Sequence, residues 1–107
     1  MSEHEGPVTE HAVMQVDPAR AAEFEAVLPE AIAVLTGSAG CRSARVSRRV
    51  EAPGAYLLLV EWDSLADHVD GFRGSPAFDR WRSLVRDFWV ELPTVEHFTP
   101  LVASPPS

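Results

Sequence analysis

Three side chains in the second half of this chain are of types suited to handling an aromatic molecule. Trp62 ends an apolar run, and an indole offers a flat apolar wall with one N–H donor. His68 follows, and an imidazole can donate a hydrogen bond or take a phenolic proton near neutral pH. Arg82 lies further on, and a guanidinium can stabilise an anion as it develops. Each also has a plainer reading. Trp62 can be a core residue under a helix, His68 a helix histidine bonded to water, and Arg82 a surface group paired with Asp79 or Asp87.

Other chemistries find little support. His4, His11, His68 and His97 are scattered without the short spacing of a zinc site, so no metal is expected. Cys41 is the single cysteine, which excludes an internal disulfide and leaves no CxxC pair. Gly71 and Gly74 match no phosphate-binding loop. The net charge is −7, from 16 acids against 9 arginines and no lysine, which argues against nucleic acid and anionic membrane as partners. Arg42, Arg45, Arg48 and Arg49 read as a solvated strand edge. The acidic, polar start is wrong for a targeting peptide, and the apolar run at 56–60 is too short to cross a bilayer. A cytoplasmic location is expected.

The elements that must position these groups follow from periodicity. Residues 8–16 alternate, with Val8, Ala12, Met14 and Val16 on one side and Thr9, His11, Val13 and Gln15 on the other, which predicts a strand. Asp17 and Pro18 then start a helix to about residue 35, carrying Phe24, Leu28, Ile32 and Leu35 at helical spacing. Pro29 should kink that helix or end it early. Residues 42–51 predict a second strand, with Ala44, Val46 and Val50 on one face, and residues 56–62 a third. Asp63 or Ser64 caps a second helix with Leu65, His68, Val69 and Phe72 on one side. It restarts at Pro76, carries Phe78, Trp81, Leu84, Val85, Phe88 and Trp89, and ends at Pro93. A last strand covers 94–102. Residues 1–7 and 103–107 read as disordered tails around one domain at 8–102.

This is an α+β chain in the order β-α-β-β-α-β. Tyr56, Leu58, Val60 and Trp62 are expected to face the helices. Leu57 and Leu59 are expected on the opposite face, with the apolar side of the first strand. That face would need a cover, which a second copy of the chain can supply.

The segments Leu59-Val60-Glu61-Trp62-Asp63-Ser64, Ala66-Asp67-His68 and Phe72-Arg73-Gly74-Ser75-Pro76-Ala77-Phe78, with the turn at Gly40-Cys41, resemble the antibiotic biosynthesis monooxygenase family. The resemblance spans roughly residues 8–102. It implies a ferredoxin-like fold, a four-stranded antiparallel sheet with two helices on one face, and two copies closing into a dimeric α+β barrel. It also implies a monooxygenase that oxidises a planar phenolic, anthrone-like or quinol substrate with molecular oxygen and no cofactor.

By this resemblance Trp62 and Arg82 match a substrate-side tryptophan and arginine, and His68 stands where polyketide oxygenases have a tyrosine. His68, Arg82 and Trp62 are then the catalytic candidates, while Phe72 and Phe78 contact the substrate. Leu58 replaces an asparagine, and His11, read as facing the helices, is the polar group that can stand in for it. The haem-degrading branch places an iron-binding histidine where this chain has Asp79-Arg80-Trp81-Arg82. The alternatives are a binding domain for a small aromatic ligand without catalysis, favoured by Leu58, and an isomerase or cyclase using His68 or His97.

Overall fold

The computed structural model describes residues 6–105. The tail expectations at 1–5 and 106–107 lie outside the described residues. Four strands, β1 (Val8–Gln15), β2 (Cys41–Arg48), β3 (Ala55–Trp62) and β4 (Thr94–Phe98), form one sheet in the order β2-β3-β1-β4. Every neighbouring pair is antiparallel. Two helices, α1 (Ala21–Thr36) and α2 (Pro76–Val85), supply the buried residues that cover one sheet face. This is the expected β-α-β-β-α-β arrangement. No helix among the described residues is long and apolar enough to cross a membrane.

Local chemistry explains the element ends. Asp17 accepts a hydrogen bond from the Ala19 amide at 2.9 Å and Pro18 opens a short 3-10 turn that leads into α1. Helix α1 runs unbroken through Pro29, which was expected to kink or end it. Pro29 is exposed, so water can reach the carbonyl that its missing N–H leaves unbonded. Gly54 has φ 103°, and its carbonyl accepts from the Val16 amide at 2.7 Å, which ties the β2–β3 turn to the end of β1.

Several expected boundaries move. Strand β2 stops at Arg48, leaving Val50 91% exposed beyond it. Strand β4 stops at Phe98, and Leu101 and Val102 are exposed. The second helical region breaks before Pro76 as expected, but it is not α-helical throughout. A π-helical turn covers Asp67–Phe72, then comes α2, then a 3-10 turn at Arg86–Phe88. Trp89 is already extended and bridges Val16, while the Val90 amide donates to Gln15 at 2.9 Å. The end of β1, past its pairing with β4, captures this segment before Pro93 is reached.

The facing of β1 is opposite to expectation. Ala12 pairs with Leu58 and His11 with Leu59. Directly opposed residues share a sheet face. Leu58, Val60 and Trp62 are buried under the helices, and Val8, Ala12, Met14 and Val16 are buried with them. Thr9, His11, Val13 and Gln15 therefore share the other face with Leu57 and Leu59.

Candidate active site

The inward phase of β1 includes one charged residue, Glu10, only 5% exposed. Across the ladders Glu10 pairs with Val60 on β3 and with His97 on β4. Its Oε1 accepts from the Trp62 indole N–H at 3.0 Å and lies 3.3 Å from His68 Nε2. His68 Nδ1 lies 2.7 Å from His97 Nε2. A continuous polar chain thus runs from Trp62 through Glu10 and His68 to His97. His68 is 2% exposed and its ring stacks on Trp62, with centroids 5.1 Å apart and planes 16° from parallel.

The backbone that aims His68 inward is built locally. The Ser64 hydroxyl donates to Asp67 Oδ2 at 3.0 Å, and the Asp67 amide donates to the Ser64 oxygen at 3.1 Å. This reciprocal cap starts the turn. The Arg73 amide then reaches back five residues to the His68 carbonyl at 3.0 Å, widening the coil into a π turn. Gly40, with φ 82°, lies so close to Asp67 that any side chain there would collide with it.

Electrostatics follow from burial. Desolvation raises the Glu10 carboxyl pKa, opposed by the Trp62 hydrogen bond and the Arg73 charge. Desolvation, with Arg73 and His97 nearby, pulls the His68 pKa down to about 3, so this imidazole is neutral near pH 7. His97 is also lowered, by burial and then by Arg73. No cluster of three or more potential ligands able to hold a metal ion occurs among the described residues. Glu10, His68 and His97 instead contact one another in sequence, Glu10 to His68 at 3.3 Å and His68 to His97 by a 2.7 Å hydrogen bond.

A cavity of about 330 Å³ opens onto this chain. Glu10 and His68 lie on its wall, Phe72, Phe78, Trp81 and Trp89 form its aromatic sides, and Arg73 and Arg82 also border it. The volume suits a small-molecule pocket with few polar groups. A larger hollow of about 560 Å³ beside the end of α1 has no buried titratable residue on its wall, and its Arg80 is already paired with Glu30.

The expected site residues are therefore divided. His68, Arg82, Phe72 and Phe78 meet at the one cavity. Trp62 does not line it; it stands behind Glu10 and His68, holding both. Leu58 is 1% exposed within the core and is absent from the cavity wall. His11 is on the far face, 5.5 Å from the Phe98 ring, because the pleat directs it away from the helices. It cannot supply a polar group to this cavity. Arg82 is not paired with Asp79 or Asp87; its guanidinium lies 5.6 Å from the Phe78 ring centre. Glu10 and Arg73 are absent from the expected site, and His97 is expected there only for an isomerase or cyclase. The signal for Glu10 was a lone acid in phase with Val8, Ala12 and Met14.

Comparison with known proteins agrees with the fold. The family described as "Antibiotic biosynthesis monooxygenase" matches residues 7–84. The uncharacterised Bacillus subtilis protein YczJ is 38% identical over 91 residues, covering 85% of this chain and 96% of its own. A crystal structure from Bordetella bronchiseptica, of a protein provisionally named an antibiotic biosynthesis monooxygenase, superposes with TM-score 0.85 at 35% identity. It covers 91% of this chain and 99% of that one. A Caulobacter crescentus structure with the same provisional name gives TM-score 0.78 at 23% identity, covering 92% of each chain, which speaks to the fold alone.

Proposed function

Since the chain belongs to the antibiotic biosynthesis monooxygenase family, we propose that it oxidises a small planar phenolic, anthrone-like or quinol molecule with molecular oxygen, without a bound cofactor. The observation that carries this reading is the buried Glu10–His68 pair on the wall of a cavity whose other walls include the aromatic rings of Phe72, Phe78, Trp81 and Trp89 beside aliphatic side chains and two arginines. Such a wall selects flat apolar molecules. A buried carboxylate and a neutral imidazole provide the one thing the chemistry needs from protein, a place for a proton.

For an anthrone the steps balance without another reductant. The methylene C–H bond breaks, its proton goes to the protein, and the electron pair stays as a delocalised anion. That anion gives one electron to oxygen. The resulting radical and superoxide join through a new C–O bond, with Arg82 beside the growing negative charge. Cleavage of the O–O bond with loss of the second methylene hydrogen leaves a carbonyl and hydroxide, which takes back the first proton from the protein to become water. The net change is CH₂ plus O₂ to C=O plus H₂O.

The test is oxygen uptake with anthrone or a naphthol. Uptake above the buffer rate, lost on His68→Ala, is expected. A rate equal to buffer refutes the reading. Leu58 at the core gives no amide to the cavity, which favours a second reading as a binding domain. Tight binding of the aromatic with no product would select it.

We also propose that two copies pair through the outer sheet face. Val13 is 36% and Phe98 52% exposed there, beside the partly buried Leu57 and Leu59. Sedimentation as a monomer at micromolar concentration would remove this proposal.

A further inference from the structure

The occupancy of the polar atoms around the cavity singles out one that is free to take a proton. His68 has two ring nitrogens and both face protein partners, Nδ1 towards His97 at 2.7 Å and Nε2 towards Glu10 at 3.3 Å. A histidine held at both ends cannot take a substrate proton without breaking one of those contacts. Glu10 is different. Its Oε1 takes both the Trp62 and His68 contacts. Its Oε2 has no hydrogen-bond partner among the described residues, and the single sealed-off, unpartnered side-chain polar atom found among them is Trp89 Nε1. Oε2 therefore keeps its lone pairs and is not fully sealed off, and the residue borders the cavity.

We propose that Glu10 is the catalytic base, taking the substrate proton on Oε2, and that His68 and His97 are positioning residues that hold Oε1. The proposal rests on the reading above only in assuming that a molecule with an acidic C–H or O–H enters the cavity. In the step, the substrate C–H or O–H bond breaks and an O–H bond forms at Glu10 Oε2. The electron pair remains on the substrate.

The groups around Glu10 fit this division. Trp62 on β3 donates to Oε1. His68 Nε2 stands 3.3 Å from the same oxygen, and a hydrogen on that nitrogen turns a positive end towards the carboxylate, which in turn requires His97 to donate to Nδ1. Arg73, after the π turn, favours the carboxylate, and Arg82 on α2 borders the same cavity. Burial raises the Glu10 pKa, which makes it a stronger base than a carboxylate in water.

The experiment separates proton removal from oxidation. Anthrone is incubated with the protein in D₂O without oxygen, and deuterium entry at the methylene is followed by NMR, with binding monitored by tryptophan fluorescence. Wild type should accelerate exchange. Glu10→Gln should slow it by about 100-fold, and Glu10→Ala should be partly rescued by formate. Exchange that survives Glu10→Gln but is lost in His68→Gln overturns the assignment, as does bound anthrone that wild type fails to exchange. Exchange without later oxygen uptake would defeat the monooxygenase reading and leave Glu10 as the base.

Should the Glu10 variants misfold, ¹⁵N spectra of the wild-type histidines give an independent answer. His68 should stay neutral from pH 5 to 8 with its hydrogen on Nε2, and a hydrogen on Nδ1 contradicts the proposed hold on Glu10.

Discussion

Glu10 and Glu25 each accept a hydrogen bond from an aromatic side chain of β3, Trp62 near one end and Tyr56 near the other. Their surroundings then diverge. Glu25 is bound through both oxygens by the exposed Arg48 and also takes the Tyr56 hydroxyl at 2.7 Å. These contacts, the Arg48 hydrogen bond first, hold its pKa down to about 2. Among the described residues Glu10 has no basic group within ion-pair reach other than His68, which burial keeps neutral. Its pKa is raised. A carboxylate satisfied by an arginine is finished chemically. One held at a single oxygen beside an aromatic cavity still has capacity to accept a proton.

The sharpest way to break this contrast is to neutralise each acid in turn. Glu10→Gln should reduce anthrone oxidation by about 100-fold, the scale of a lost general base. Glu25→Gln should leave the rate within about twofold, because the change is remote from the cavity. Equal losses in kcat/KM would dissolve the distinction.

A smaller effect is expected from Trp62→Phe, which keeps a ring but removes the donor to Glu10 and leaves a small void. Thermal or urea unfolding should show a loss of about 1–3 kcal/mol. The rate should fall less than in Glu10→Gln.

Acid titration distinguishes the two regions by sign and range. The folded His68 pKa is about 3 against a usual value of 6.5. The unfolded chain therefore binds more protons between those values, and stability falls as pH drops through that window. His68→Gln should flatten this part of the curve. Glu25 has a folded pKa of about 2 against 4.5. Its contribution is present above the usual value and disappears as pH falls towards 2. Glu25→Gln should soften only that lower limb, and by the smallest amount of the four changes, because solvent screens the pair.

The elements were legible because their signals are local. Alternation marked β1, an apolar run marked β3, and Asp17-Pro18 marked the start of the first helical region. The site was only half legible. His68 and Phe72 share a helical face in sequence, so their joint burial was readable. The Glu10–His97 pairing was not, because it depends on the β1–β4 register, which joins residues far apart in the chain. The facing of β1 failed for a related reason. Alternation gives two sides, but the pairing of Ala12 with Leu58 decides which side meets the helices. The π turn was hidden too, since its long hydrogen bond from Arg73 to His68 has no local sequence code beyond the nearby glycines.

The most direct test of the whole account is anthrone turnover under ¹⁸O₂ by wild type and Glu10→Gln. One labelled oxygen in the new carbonyl of anthraquinone, formed by wild type and largely lost in the variant, is the result predicted. An unlabelled product, or equal labelled turnover by both proteins, would contradict it.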